Sequence, residues 1–162
     1  MYDLSRVDRG FIYPDNPKFV KSPYIRNPGF RVQPELAIAD ATHIAGNSII
    51  GATVCTIGAI TNLIRCGEVK NGDLTWFVGE HEVENMIATT PMTQHGDSGA
   101  PVFRFLDLFS LTDRLRVHLL GMHNAAGFIP ESEDSPDDIP ISAHIPLYKI
   151  LKNDMSVVTI YD

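Results

Sequence analysis

The stretch "QHGDSGAPV", Gln94–Val102, sets one serine between two glycines, with an aspartate before it and a proline three residues after. A structural turn needs one glycine for a positive φ. Gly96 and Gly99 instead clear space on both sides of Ser98, so that its backbone and Oγ can approach a bound carbonyl. An activated serine with an oxyanion hole of backbone N–H groups has that requirement. The plain alternative is a hairpin turn before the strand "APVFRF" (Ala100–Phe105), and a bare GxSG would fit it. The longer motif, running straight into a strand, is more specific.

The chain has 162 residues, 44% of them hydrophobic, enough to bury a core in one domain. It has no apolar run of the length that crosses a membrane, and its start, "MYDLSRVDRG", has no apolar core of signal-peptide type. A net charge of −7 with 13 basic residues argues against nucleic acid as a partner. Five carboxylates fall in "ESEDSPDD" (Glu131–Asp138), which reads as a solvated loop. The two cysteines, Cys55 and Cys66, form no CxxC pair and no Cys/His cluster, so neither a metal site nor a cofactor is expected. They sit on two strand-like segments, "IIGATVC" and "RCGEVK", joined by a loop. That arrangement suits a disulfide closing a hairpin in an oxidising compartment; two buried free thiols are the alternative.

Residues 1–34 are rich in Pro, Asn and Arg, show little periodicity and read as an irregular surface arm. From Gly51 onward short strands alternate with glycine, which predicts an antiparallel barrel or sandwich. "IPLYKILKN" (Ile145–Asn153) predicts a short terminal helix, with Pro146 in its first turn. No internal repeat is found.

With these segments in hand, the chain resembles the chymotrypsin-like serine peptidases. "GDSGAPV" is similar to their nucleophile segment, and "GATVCTIGAITNLIRCGEV" to the Cys-Gly-Thr hairpin of the bacterial streptogrisin branch. "LLGMHNAAG" resembles the strand that walls the primary specificity pocket, and "IPLYKILKNDMSVVTIY" the closing helix and terminal segment. The matches run in the family's order from about Ile38 to Tyr161 and fall on the second of its two barrels. The resemblance therefore implies an all-β fold: a six-stranded antiparallel Greek-key barrel over residues 49–162 with a short C-terminal helix, preceded at 1–48 by an irregular arm and inter-barrel crossover. Three departures stand out: a Cys–Cys loop one residue longer than the branch's, Asn62 where the branch usually has Gly, and Thr56 where bacterial members often carry Arg.

Carried over residue by residue, Ser98 is the nucleophile, and the N–H groups of Gly96 and Ser98 form the oxyanion hole. Asp97 and Gly99 shape the site, Asp97 through a buried partner that the sequence does not name. A serine hydroxyl also needs a base, normally a histidine oriented by a carboxylate. Asp3, in "YDLSRV", resembles the family's orienting Asp. No histidine fills the base position. His95 is too close to Ser98 in the chain and lies at the rim, and His81 falls in a charged turn. His43 is only 55 residues before Ser98 and aligns with the crossover. The expectation is the C-terminal half of a protease domain, lacking its base.

Met92 stands where the family has the base of the primary pocket, and it is no acid, so a Lys/Arg preference is not expected. Thr93 and His123, with Asn124, Ala125 and Ala126 as the pocket wall, resemble instead the glutamyl endopeptidases and viral polyprotein proteases that cut after Glu or Gln. An imidazole N–H and a threonine hydroxyl can both donate to a side-chain carboxylate or carbonyl. His118 is read as a surface residue, and His144 as the residue leading into the helix. The implied function is a secreted serine endopeptidase acting on peptide or protein substrates, partnered by an N-terminal barrel or by itself through an exposed barrel face. A viral polyprotein-processing protease and a non-catalytic, protease-like binding module are the alternatives.

Overall fold

A computed structural model describes residues 18, 21–78, 81–106, 114–130, 137–151 and 155–161. In chain order the elements are β1 (Tyr24–Arg26), β2 (Glu35–Asp40), a 3-10 turn (Gly46–Ile49), β3 (Thr53–Ile57), β4 (Ile64–Val78), β5 (His81–Thr89), β6 (Pro101–Phe105), β7 (Arg116–Pro130), β8 (Asp138–Pro146) and a single helical turn, α1 (Leu147–Ile150). Strands β3 to β8 pair antiparallel in the ring β3-β4-β5-β8-β7-β6, and β6 returns to β3. This is the six-stranded Greek-key barrel that the resemblance implies. Closing the ring removes most of the edges that an open sheet would leave to solvent.

Local sequence accounts for much of this. "TVCTI" in β3 is β-branched and buried over four consecutive residues, because β4 and β6 cover both of its edges and the barrel fills beneath it. Inside, Val54, Val69, Ile87, Val102 and Leu120 pack together, and Met86, Ala88, Ala143 and Ile145 form an adjoining cluster. Cys55 and Cys66 face one another across the β3–β4 ladder and are joined as a disulfide. Asn62 adopts φ 49°, a left-handed conformation that Asn tolerates better than most residues, which explains why it can replace a glycine there. Thr56 is fully buried and donates its hydroxyl to the Pro101 carbonyl at 2.8 Å, tying β3 to the strand that follows Ser98.

Three expectations are corrected. The segment 1–48, read as an irregular arm and inter-barrel crossover, contains β1 and β2, and β2 lies parallel against the start of β7. Leu36, Ala37 and Ile38 are all buried between neighbouring elements, so no alternation marks the strand in the sequence. His118 is buried, not at the surface: its Nε2 lies 2.8 Å from the Thr42 carbonyl and its Nδ1 3.4 Å from Asp40. His144 does not lead into the helix. It lies within β8, fully buried, because β8 runs on to Pro146 before the chain turns.

Candidate active site

The site grows from the connection between β5 and β6. Asp97 N–H donates to the Gln94 carbonyl and Ala100 N–H to the Asp97 carbonyl, which folds residues 94–100 into two successive turns. Gly96 and Gly99 supply the left-handed corners, at φ 95° and 88°. A side chain at Gly96 would be strained by its φ and would also meet Ile60 at 2.8 Å. Ser98 is carried exposed between these corners, and its Oγ donates to the Asn124 carbonyl at 3.0 Å. Gly99 N–H donates to the His123 carbonyl and His123 N–H to the Ala100 carbonyl, so the turn is laced to β7.

Beneath the serine, Asp97 is 1% exposed. Its carboxylate accepts from the N–H groups of Ile60 at 2.9 Å, Thr61 at 3.1 Å and Gln94 at 2.9 Å. Burial acts to raise this carboxyl, but the Gln94, Thr61 and Ile60 N–H groups and the Thr61 side chain outweigh it and hold the group below the usual aspartate range. The unnamed partner of Asp97 is therefore a nest of backbone amides, two from the β3–β4 loop and one from Gln94 in its own turn. Gly58 makes the nest possible, since a Cβ there would lie 2.0 Å from Asp97 Oδ1. Sequence reasoning missed Gly58, Ile60 and Thr61; the only trace is the small-residue loop "IGAIT" between the cysteines.

On the other side of the turn lies a second polar cluster. His123 and His144 are buried with Nδ1 atoms 3.4 Å apart, and His144 Nε2 lies 2.9 Å from Thr89 Oγ1. Burial pushes both imidazoles below the usual histidine range, His144 to about 3, with the neighbouring His123 adding to the effect. The Asp97 charge pulls His123 partly back. Thr93 Oγ1 lies 2.7 Å from Ser142 Oγ, and Ser142 also accepts from Met92 N–H. The structure thus brings Thr93, His123 and Asn124 to one flank of Ser98, together with Thr89, Ser142 and His144, which the sequence did not flag. Ala125 and Ala126 follow along β7, and His95 is exposed. Met92 is packed in the core beside Val54 and Val69, because its unbranched side chain fills the barrel.

A cavity of about 670 Å³ opens beside Ser98, lined by Tyr24, Arg26, Gly58, Asp97, Gly99 and others, with no histidine among the described lining residues. His43 meets Tyr148 of α1 edge to face, the ring centroids 4.2 Å apart. Asp3 lies outside the described residues.

No protein-family model and no curated protein matches the sequence. Solved structures do match. Thermobifida fusca Protease A superposes with a TM-score of 0.53 at 22% identity, over 80% of this chain and 56% of that one. A glutamic acid specific serine protease, described as using a novel histidine triad in substrate binding, gives 0.57 at 18%, over 83% and 58%. Cellulomonas bogoriensis chymotrypsin gives 0.51 at 18%, over 78% and 56%. The fold is that of the chymotrypsin-like serine proteases, and the chain spans a little over half the length of these structures.

Proposed function

We propose, from a fold shared with chymotrypsin-like serine proteases, that this chain supplies the nucleophile barrel of a secreted serine endopeptidase that cuts after Glu or Gln. The observation that carries the reading is the Ser98 turn, with an exposed hydroxyl held between two left-handed glycines above a buried, ionised Asp97. Ser98 Oγ attacks the scissile carbonyl and passes its proton to a base. The N–H groups of Gly96 and Ser98 receive the oxyanion, and the Asp97 nest fixes the turn that presents them. The base is an imidazole delivered from outside the described residues, with Asp3 as its orienting carboxylate. The Cys55–Cys66 disulfide supports placing the chain in an oxidising compartment.

The Glu/Gln preference rests on the second cluster. Both imidazoles are neutral at pH 7. A neutral His123 can donate one N–H to a substrate carboxylate or amide, with the Thr93 hydroxyl as a second donor. His144 and Thr89 stand behind His123, Nδ1 to Nδ1 at 3.4 Å and His144 Nε2 to Thr89 Oγ1 at 2.9 Å. One structural match is described as glutamic acid specific, with histidines in substrate binding.

Joining a histidine-bearing first barrel and digesting a peptide library, read by mass spectrometry, tests the proposal. Cleavage after Glu or Gln is expected. Cleavage after Lys, Arg or aromatic residues would sink the specificity, and no cleavage would sink the activity. A second reading, a peptide-binding module without catalysis, is favoured by one observation: Ser98 Oγ donates to the Asn124 carbonyl, not to an imidazole.

A further inference from the structure

We propose that the tips of the β1–β2 hairpin and of the β3–β4 loop form a docking surface for a lipid leaflet that carries anionic headgroups.

Phe30 and Val32 on the first tip are exposed at 51% and 83%, and Ile60 and Leu63 on the second at 59% and 51%. Single exposed apolar residues are ordinary, whereas adjoining ones mark a contact surface. The two tips touch: Leu63 lies so close to Gly29 that a Cβ there would collide with it. Neither tip can fold its apolar side chains inward, because polar anchors hold its backbone. Asn27, 2% exposed, donates its backbone N–H to the Pro34 carbonyl and its side-chain amide to the Gln33 carbonyl, and accepts from Phe30 N–H. In the other loop the Ile60 and Thr61 N–H groups donate to the buried Asp97 carboxylate, and Asn62 N–H donates to the Gly58 carbonyl.

Charge selects what covers these tips. Residues 21–34 and 57–67 carry Lys21, Arg26, Arg31 and Arg65 and no carboxylate, in a chain whose net charge is −7. All four cations are exposed, and none forms an ion pair with a described residue. Glu82 and Glu84 lie at the far end of the β4–β5 hairpin. Exposed charges more than about 8 Å apart are largely screened at physiological salt, so a surface resting on the tips meets their cations and not the net charge. A second copy docked by the same tips would set cation against cation across a two-fold axis. An anionic leaflet satisfies both halves of the surface at once. The four apolar side chains enter the boundary of the acyl chains, and the cations stay among the headgroups. Ile60 also abuts Gly96, so docking sets the Ser98 turn beside the lipid.

Vesicle flotation tests this on the whole chain. Binding to vesicles of phosphatidylcholine and phosphatidylserine in equal parts is expected to exceed binding to phosphatidylcholine alone by about tenfold, and high salt should remove the difference. Arg31→Gln should weaken binding to the anionic vesicles about fivefold, the scale of one cation near a charged surface. Phe30→Ser should weaken it about tenfold through lost apolar insertion. Phe77→Ser, which replaces an aromatic 67% exposed on β4, should leave it unchanged. Equal binding to both vesicles, binding to neither, or the same loss in Phe77→Ser as in Phe30→Ser overturns the proposal. Capture by poly-glutamate but not by vesicles overturns it in favour of an acidic protein. A dimer that Phe30→Ser abolishes, without vesicle binding, overturns it in favour of a second copy.

Discussion

Asp97 and the His123–His144 pair are buried alike on either side of Ser98, yet one cluster is ionised and the other neutral. The difference lies in what surrounds them. Three backbone N–H groups converge on Asp97, and donors favour the charged carboxylate by more than burial disfavours it. The imidazoles meet one another and a threonine hydroxyl, so burial prevails and their charge is lost. The turn is thus flanked by two environments: a fixed charge held by main-chain donors, and a pair of imidazoles that burial keeps uncharged.

The comparison breaks hardest at Asp97. Replacing it with Ala leaves three N–H groups without their acceptor, and a loss of about 3–5 kcal/mol in unfolding free energy is expected. Chemical denaturation measures it, and a loss below 1 kcal/mol would show that the nest is incidental. Gly58→Ala attacks the same nest from the other side, by placing a methyl on the carboxylate. A loss of about 2–4 kcal/mol is expected, on the scale of overpacking and broken buried bonds. Reduction of Cys55–Cys66, or a double Ser replacement, is expected to cost about 2–4 kcal/mol through the loop it closes. The sign is the same in either model of disulfide stabilisation.

Acid sharpens the contrast. His144 is neutral when folded but gains a proton when unfolded below its ordinary value near 6.5. The unfolded state then binds more protons, so stability falls as pH drops from about 6.5 toward about 3. Asp97, whose folded carboxyl is depressed, adds its own loss only below the ordinary aspartate range, as pH falls through its folded value. Urea midpoints across pH should therefore decline in two stages, and His144→Gln should flatten the upper one. An unchanged upper stage in that variant would mean that His144 is charged when folded. Last and smallest, Ser98→Ala should change stability by less than about 0.5 kcal/mol, because its side chain is exposed.

How much of this could be read in advance follows the same divide. The Ser98 turn was legible because two glycines are needed where the backbone turns left-handed, and glycine is conspicuous. A barrel or sandwich was legible from strands punctuated by glycine, the barrel itself only through the resemblance, and a disulfide as one of two readings of cysteines on facing segments. The Asp97 nest was not, because its donors are main-chain amides, which every residue carries whatever its letter. His144 was hidden for a different reason. It sits just before Pro146 and "LYKI", so the helix signal was extended back over a residue that belongs to β8. β2 was hidden by burial on both faces, which erases alternation. Asp3, by contrast, was named from the resemblance and lies outside the described residues.

The central claim is that Ser98 is a nucleophile held ready for a base that the described residues do not supply, and fluorophosphonate labelling with mass-spectrometric location of the adduct tests it most directly. The purified chain alone should label close to background. Added imidazole should accelerate labelling at Ser98 and nowhere else, and Asp97→Asn should slow it by loosening the oxyanion hole. Rapid stoichiometric labelling without imidazole would place a base within the chain, with His43 the first to mutate. No adduct on Ser98 at any imidazole concentration would contradict the nucleophile itself.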